Sequence, residues 1–281
     1  MAAMQAPATH HIAFLGGGNM ARALIAGLLR QGTPPAQIHV GEPLEAARAA
    51  LQREYGIDAL SDNTSAIERC ELVVLAVKPQ QASEVLRALG AALAMRPRLL
   101  LSIAAGLRSA DLARLCPAGV SIVRAMPNRP ALVGAGITAL YAEVGVSAAQ
   151  RSLAEQVASA AGRTVWLPLE AQLDIVTALS GSGPAYFFLL AEQLAAAAQG
   201  LGLAPETAQL LAAETLYGAG QLAHAGPGLA EQRAAVTSKA GTTEAALNLL
   251  QQQGFAPLVA RALQAAAARS SELAAALGSA L

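Results

Sequence analysis

Lysine is almost absent from this chain. Against 17 arginines there are two lysines, Lys78 and Lys239, and both fall inside segments that attract attention on other grounds. Net charge is absent too: the formal balance is zero, and no basic cluster occurs. With no surface to release counterions from a polyanion, neither nucleic acid nor an anionic membrane is an expected partner. Cysteine is equally scarce. Cys70 and Cys116 make neither a disulfide framework nor a metal-ligand cluster, so no metal is expected, and both sit beside apolar runs as buried thiols do. Apolar residues make up 54% of the chain, much of it alanine, yet no apolar run approaches the roughly 18 residues needed to span a bilayer. The richest stretch, residues 186–198, is interrupted by Glu192 and Gln193. The N-terminus, MAAMQAPATHH, lacks a charged region followed by an apolar one, so no secretory signal is expected. These absences predict a soluble cytoplasmic protein. At 281 residues it is long enough for two domains.

What is present begins with HIAFL at residues 11–15, a short apolar run that leads directly into GGGNMARALIAGLLRQG. Gly16, Gly18 and Ala21 satisfy G-x-G-x-x-A, and Leu24, Leu28 and Leu29 follow at helical spacing. The first glycine permits a tight turn and the second lets backbone approach a pyrophosphate. The small third residue lets helix and strand pack closely. Glycine-rich turns are common, so the context decides: an apolar strand before, an amphipathic helix after, and a second strand at 37–41 ending in Glu42. That context predicts dinucleotide binding. A carboxylate at Glu42 would accept hydrogen bonds from a ribose 2′-OH and repel a 2′-phosphate. Equally, Glu42 suits the solvated first turn of a helix. It leans the expected cofactor towards NADH or mixed use.

The alternation continues with strands expected at 72–77, 99–103, 121–124 and 137–141, and helices at 43–55, 80–93 and 147–161. Continuous apolar strands between amphipathic helices indicate a parallel sheet covered on both faces. Ligands bind such sheets beyond the carboxyl ends of the strands. Those ends carry Glu42, Asn63, Ala76, Val77, Lys78, Pro79, Ala104, Ala105, Gly106 and the Met126-Pro127-Asn128 run, a set that would line a nicotinamide dinucleotide cleft. After Trp166-Leu167-Pro168 the strand signals stop. Helices are expected at 174–179, 184–199, 205–223, 243–252 and 257–277. Their faces are rich in Ala and Leu, so they either bury that surface in an oligomer or close into a compact monomeric bundle. Between the halves, Ser180-Gly181-Ser182-Gly183 is a hinge or part of an active-site wall.

Near the other end lies VTSKAGTTEAAL, residues 236–247. Small residues let the backbone come close to a ligand, a helix N-terminus offers unpaired N–H groups to an anion, and hydroxyls add donors and acceptors without charge. The segment suits a small carboxylate with one further hydrogen-bonding atom. It also reads as an ordinary Thr-capped surface helix.

Taken together, FLGGGNMARALIAGL, LAVKPQ, SIAAG, RAMPNRPALVGAG, TALSGSGPAYFFLL and VTSKAGTTEAAL, in that order, resemble the pyrroline-5-carboxylate reductase family along nearly the whole chain. The resemblance implies an α/β fold: a Rossmann-like doubly wound sheet in residues 1–168, followed by an all-α dimerisation domain in 169–281. It implies a homodimer in which the partner completes the active site, often assembled as a ring of dimers. The implied cofactor contacts are Gly16, Gly17, Gly18, Asn19, Met20, Asn63, Ala76, Val77, Lys78, Pro79, Ala104 and Ala105, with NADPH as the family's default and NADH left open by Glu42. Lys78 lies near cofactor or substrate charge, or is a solvated strand-end residue. Ser238, Gly241, Thr242 and Thr243 are the implied substrate contacts: backbone N–H groups hold the carboxylate of 1-pyrroline-5-carboxylate and the Thr243 hydroxyl meets its ring nitrogen as the one catalytic group.

Three positions depart from the family pattern: Arg129 in place of Thr, Lys239 in place of the commoner Pro, and Ala240 in place of Gly. The last is harmless only if its φ is negative. The loop HAGPGLAEQRAA also differs from the usual version. The implied reaction, hydride transfer to a C=N carbon, needs alignment and exclusion of water more than a strong acid. No Asp, Glu or His of the substrate motif is expected to take part. Two other readings compete. A β-hydroxyacid dehydrogenase would need a base, usually a Lys on the helix joining the domains, and residues 172–190 contain none. A non-catalytic cofactor-binding regulator would bind the dinucleotide without turning over the imine.

Overall fold

The computed structural model describes residues 10–281, so most of the stretch read for a secretory signal lies outside the described residues. The chain forms two compact units: one holds the chain up to Gly181 together with Ala267–Leu281, and the other is Ser182–Ala266.

In the first unit one sheet is built from β1 (Ile12–Leu15), β2 (Ile38–Gly41), β3 (Asp58–Leu60), β4 (Leu72–Leu75), β5 (Arg98–Ser102), β6 (Val120–Met126), β7 (Gly136–Ala142) and β8 (Gly162–Trp166). Its order is β3-β2-β1-β4-β5-β6-β7-β8. The helices are α1 (Asn19–Arg30), α2 (Glu45–Tyr55), α3 (Asn63–Ile67), α4 (Pro79–Ala88), α5 (Gly90–Ala94), α6 (Ser109–Leu115), α7 (Ala148–Ser159) and α8 (Gln172–Val176), the last running into a π-helical turn, Thr177–Gly181. Alternate residues of each strand bury on opposite faces. Ile12, Phe14, Leu72, Val74, Leu99 and Leu101 pack with Leu24, Ile25 and Leu28 of α1 and Leu51 of α2. Ala13, Leu15, Val73, Leu75 and Leu100 pack with Leu86 of α4, Leu93 of α5 and Leu112 of α6. Both faces are covered, which is why the strands read as unbroken apolar runs. Each of the Val, Leu, Ile and Phe side chains among them contributes about 1.5–3 kcal/mol by leaving water.

From β1 the chain moves outward to β2 and β3, then returns to place β4 on the other side of β1. The strand order reverses between β1 and β4, and open α/β sheets bind ligands beyond such a reversal. The sheet is not parallel throughout, as the sequence had suggested. β7 pairs antiparallel with β6, and β8 follows β7 in parallel. The link from Met126 to Gly136 is shorter than the dozen or so residues a parallel crossover needs, so the chain turns back on itself. Its middle is a 3-10 turn, Arg129–Val133. The single helix expected over 80–93 is broken at Leu89 (φ −91°, ψ 0°), where α4 ends and α5 begins. Glu170 ties two elements together: its Oε1 accepts from the Ser109 N–H at 2.6 Å and from Arg124 Nη1 at 2.8 Å.

The second unit contains α9 (Gly183–Gly200), α10 (Pro205–Ala225), α11 (Leu229–Ala235), α12 (Thr242–Gln252) and the start of α13 (Phe255–Ser279). The pair α9 and α10 packs through small residues, Ala195 and Ala208 being buried. Phe187, Phe188, Leu189, Leu190, Leu210, Leu211 and Tyr217 are exposed. A groove of about 410 Å³ runs between the two helices, lined by residues such as Phe188, Glu192, Gln209 and Tyr217. Among the described residues, the helical run Gln172–Gly200 is long and apolar enough to cross a membrane by length and composition alone, although 17% of its most apolar window is buried. Run length in the sequence understated this, because Asp174 and Glu192 are the only charges in that stretch. The last turns of α13 belong to the first unit: Leu277 and Leu281 pack on the core of that unit, and Arg87 Nη2 donates to the Leu281 carbonyl at 2.8 Å.

Candidate functional site

The glycine loop leaves β1 at the point of strand reversal. Gly16 has φ +98° and donates its N–H to the Gly41 carbonyl at 2.8 Å. A side chain there would be strained by the backbone alone, and its Cβ would stand 3.0 Å from the Ala76 carbonyl oxygen. Gly17 is buried, and a Cβ on it would come within 2.6 Å of Leu51 Cδ1. Gly18 faces open space and is the N-cap of α1, with no side chain capping the helix. The first bond into α1 runs from the Arg22 N–H to the Gly18 carbonyl, so the N–H groups of Asn19, Met20 and Ala21 point outward unpaired. Such a terminus carries about half a positive charge and accepts phosphate oxygens.

Around the loop the structure gathers several of the residues singled out in the sequence. Glu42 follows β2 directly; its Oε2 accepts from the Gly17 N–H at 3.0 Å and its Oε1 from the Leu44 N–H at 3.0 Å. Asn63 opens α3 and lays its amide against the Cα of Gly41. Ala76 and Val77 follow β4 and border Gly16. Lys78 is exposed and caps the N-terminus of α4 through its backbone only, with Pro79 as the first helical residue. Beyond β5 come Ala104, which is buried, and Ala105, which is exposed. Asn128 is buried beyond β6; its side chain accepts from the Ile137 N–H at 2.9 Å and donates to the Ser180 carbonyl at 3.1 Å. It thereby pins the π-helical turn.

The second set lies in the other unit. Residues Ser238 to Gly241 form a tight turn, closed by the Gly241 N–H donating to the Ser238 carbonyl at 3.0 Å. Gly241 is then the N-cap of α12, again with no side-chain cap, and the first helical bond runs from Ala245 to Gly241. The N–H groups of Thr242, Thr243 and Glu244 are left without acceptors. Thr242 is exposed and Thr243 half-buried. Ser238 is exposed beside them. The arrangement offers a cluster of backbone donors and hydroxyls with the field of a helix N-terminus behind it.

Comparison with known proteins bears on both sets. Residues 170–273 match the family described as pyrroline-5-carboxylate reductase dimerisation, and residues 11–106 match the one described as NADP oxidoreductase, coenzyme F420-dependent. A pyrroline-5-carboxylate reductase of Pseudomonas aeruginosa is 48% identical over 271 residues, spanning 96% of this chain and 99% of its own. The chain belongs to the pyrroline-5-carboxylate reductase family. The solved reductase of Coxiella burnetii superposes with a TM-score of 0.91 at 39% identity, covering 94% of this chain and 98% of that one. The reductase of Plasmodium falciparum, solved with NADP bound, superposes with a TM-score of 0.79 at 26% identity, covering 94% and 98%.

Against the family pattern, the departure at Ala240 is the one with a structural consequence. Its φ is +59°, and among the described residues it is the only non-glycine in the left-handed region. The condition under which this replacement would be harmless is therefore not met. Glu244 drew no role from the sequence pattern, yet its Oε2 accepts the Ala240 N–H at 2.7 Å and so holds the strained turn against α12. A Glu at the third helical position after a glycine N-cap is half of a capping box, and that signal was visible. Arg48, one turn into α2, had no role in the sequence pattern. Its Nη1 donates to the Glu42 and Pro43 carbonyls at 2.9 and 2.7 Å. Arg129 is exposed at the start of its 3-10 turn, and the unusual loop before the substrate motif forms α11.

Proposed function

We propose that the chain reduces the C=N bond of 1-pyrroline-5-carboxylate with NADH or NADPH to give L-proline, the last step of proline biosynthesis. The observation that carries this is the uncapped N-terminus of α12, with Thr242 and Thr243 at its first two positions, in a chain of this family. The residues of the first unit fit a dinucleotide: Gly16 and Gly17 leave no room for side chains, Gly18 opens onto free space, and the N-terminus of α1 is unfilled. In this reading Gly16, Gly17, Gly18, Asn19 and Met20 hold the pyrophosphate. Glu42, Asn63, Ala76, Val77, Lys78, Pro79, Ala104 and Ala105 border the rest of the cofactor. When bound, the reduced nicotinamide supplies the hydride that the imine carbon accepts.

The remaining work falls to the chain. Ser238 and Gly241 shape the turn so that the free N–H groups of Thr242 and Thr243 hold the substrate carboxylate. The Thr243 hydroxyl accepts from the protonated ring nitrogen and fixes the ring's orientation. An iminium is already a strong electrophile, so orientation and desolvation suffice, and no side-chain acid has to release a proton during hydride transfer. The protein acts as a homodimer whose second copy completes the active site, and dimers assemble into a ring. Its exposed apolar helices, α9 and α10, are covered in that assembly, and its setting is the cytoplasm.

The test is direct. Purified protein is mixed with 1-pyrroline-5-carboxylate and either reduced cofactor, with cofactor oxidation followed by absorbance and proline measured by chromatography. Stoichiometric proline is expected, with no turnover of 2-hydroxy acids in the reverse direction. Cofactor binding without proline would replace this reading by that of a non-catalytic regulator.

A further inference from the structure

The two oxygens of the Glu42 carboxylate are held by different donors. Oε2 accepts from Gly17 in the glycine loop and Oε1 from Leu44 on the following turn, both at 3.0 Å. The Glu42 N–H is itself fixed to the Leu60 carbonyl at 2.9 Å. An ionised carboxylate has about four lone-pair positions, so with two in use the remainder are left to accept from outside. Vicinal ribose hydroxyls can donate to them. A phosphate monoester at the 2′ position brings acceptors and negative charge against a group that can only accept.

A guanidinium could reverse this by sitting between the two anions, and two arginines are near enough to be considered. Arg22 donates Nε to the Gly17 carbonyl at 3.1 Å and pairs Nη1 with Glu54 Oε2 at 3.0 Å. Arg48 places Nη1 on the carbonyls of Glu42 and Pro43. Both are engaged in holding the loop and the β2–α2 turn, and Arg48 binds the backbone of Glu42 rather than its carboxylate. The carboxylate is thus fixed in place and not neutralised.

We propose that Glu42 is the residue that selects the cofactor, accepting the adenosine ribose hydroxyls and excluding a 2′-phosphate, so that the protein uses NADH in preference to NADPH. The inference rests on the reductase reading above and specifies which dinucleotide that site takes. Glu42→Gln keeps the size of the side chain, removes the charge, and turns an amide N–H₂ towards one of the two backbone donors.

Dissociation constants for NADH and NADPH are measured by fluorescence titration without substrate, alongside kcat/KM for each with 1-pyrroline-5-carboxylate. At low salt the wild type should favour NADH by about 10-fold or more, a margin that narrows as salt screens the repulsion. Glu42→Gln should bring the two cofactors within about 3-fold, chiefly by tightening NADPH. Arg48→Ala should leave the ratio unchanged. Should Gln not fold, the wild type alone still discriminates: 5′-AMP should bind more tightly than adenosine 2′,5′-bisphosphate, which differs from it only by the 2′-phosphate. Equal or NADPH-favouring constants in the wild type, or a Gln variant with an unaltered ratio, would overturn the proposal. So would selective loss of NADPH binding in Arg48→Ala, which would mean that Arg48 turns to meet the phosphate. Failure to reduce the imine with either cofactor strikes the reductase reading instead, and the binding ratio still decides the role of Glu42.

Discussion

Replacing Ala240 by glycine should stabilise this protein, against the usual effect of such a change. At φ +59° the Cβ of an L-residue crowds the following carbonyl, at a cost of about 1–2 kcal/mol. Glycine removes that strain, but gives back about 0.5–1 kcal/mol because its unfolded chain is freer. The net expectation is a gain of about 0.5–1 kcal/mol. Ala246 supplies the control: it is exposed inside α12, where the same substitution should destabilise by about 1 kcal/mol. Urea unfolding of Ala240→Gly, Ala246→Gly and wild type should therefore move the two variants in opposite directions, about 1.5–2 kcal/mol apart. All three are compared at one protein concentration, since subunit association contributes to apparent stability. No donor is lost at position 240, so kcat/KM should change by less than about 3-fold. If Ala240→Gly lowers the midpoint as Ala246→Gly does, the turn does not hold its alanine under strain and the argument fails.

Thr243→Ala should lower kcat/KM for 1-pyrroline-5-carboxylate by about 10-fold or more, consistent with one oriented hydrogen bond worth about 1–2 kcal/mol; unchanged kinetics would take Thr243 out of the reaction. At Glu170, burial pushes the carboxyl pKa up, but the Ser109 N–H and the Arg124 guanidinium outweigh it and hold the value below the ordinary one. A depressed folded pKa stabilises above the unfolded pKa, and that stability is lost as pH falls through the folded value. Glu170→Gln should thus cost about 1.5–3 kcal/mol at neutral pH, with the difference from wild type closing below about pH 4; a gap that persists in acid would refute the pairing. Burial pushes the Cys70 thiol up to about 12, with Glu71 adding to the shift, and burial alone pushes Cys116 up to about 11. Both should react with a disulfide reagent at pH 8 far more slowly in the native than in the unfolded protein, Cys70 the slower of the two, and a rapid native reaction at either would show that it is not shielded.

The elements that the sequence revealed are those whose periodicity extends over enough residues to be seen. Ile12 to Leu15 and Leu72 to Leu75 are buried on both faces and stand out as apolar runs, while α7 and α10 carry clear starts in Ser147 and Pro205. β3 has three residues and α3 has five. Neither can show a repeat, so both were invisible as elements although Asn63 was picked as a strand-end residue. The reversal of β7 was hidden for a different reason. Its composition, GITALYA, suits a parallel or an antiparallel strand equally well, and only the shortness of the preceding link decides.

The candidate site divides along the same line between local and long-range order. Gly16 to Gly18 and Gly241 to Thr243 are each followed by a helix in the sequence, so the free N–H groups at both helix starts could be inferred from a few adjacent residues. Contacts made across the sheet could not. The bond from Gly17 to Glu42 joins residues 25 apart, and the one from Asn128 to Ser180 joins residues 52 apart. Each depends on two strand ends or turns arriving at one place, which no local pattern encodes. Glu42 illustrates the consequence. Position alone made it a helix-start acid or a ribose ligand with equal ease; two backbone donors fixing its oxygens, with Arg48 engaged on the backbone carbonyls beside it, turn that choice into a statement about cofactor selection that a binding ratio can refute.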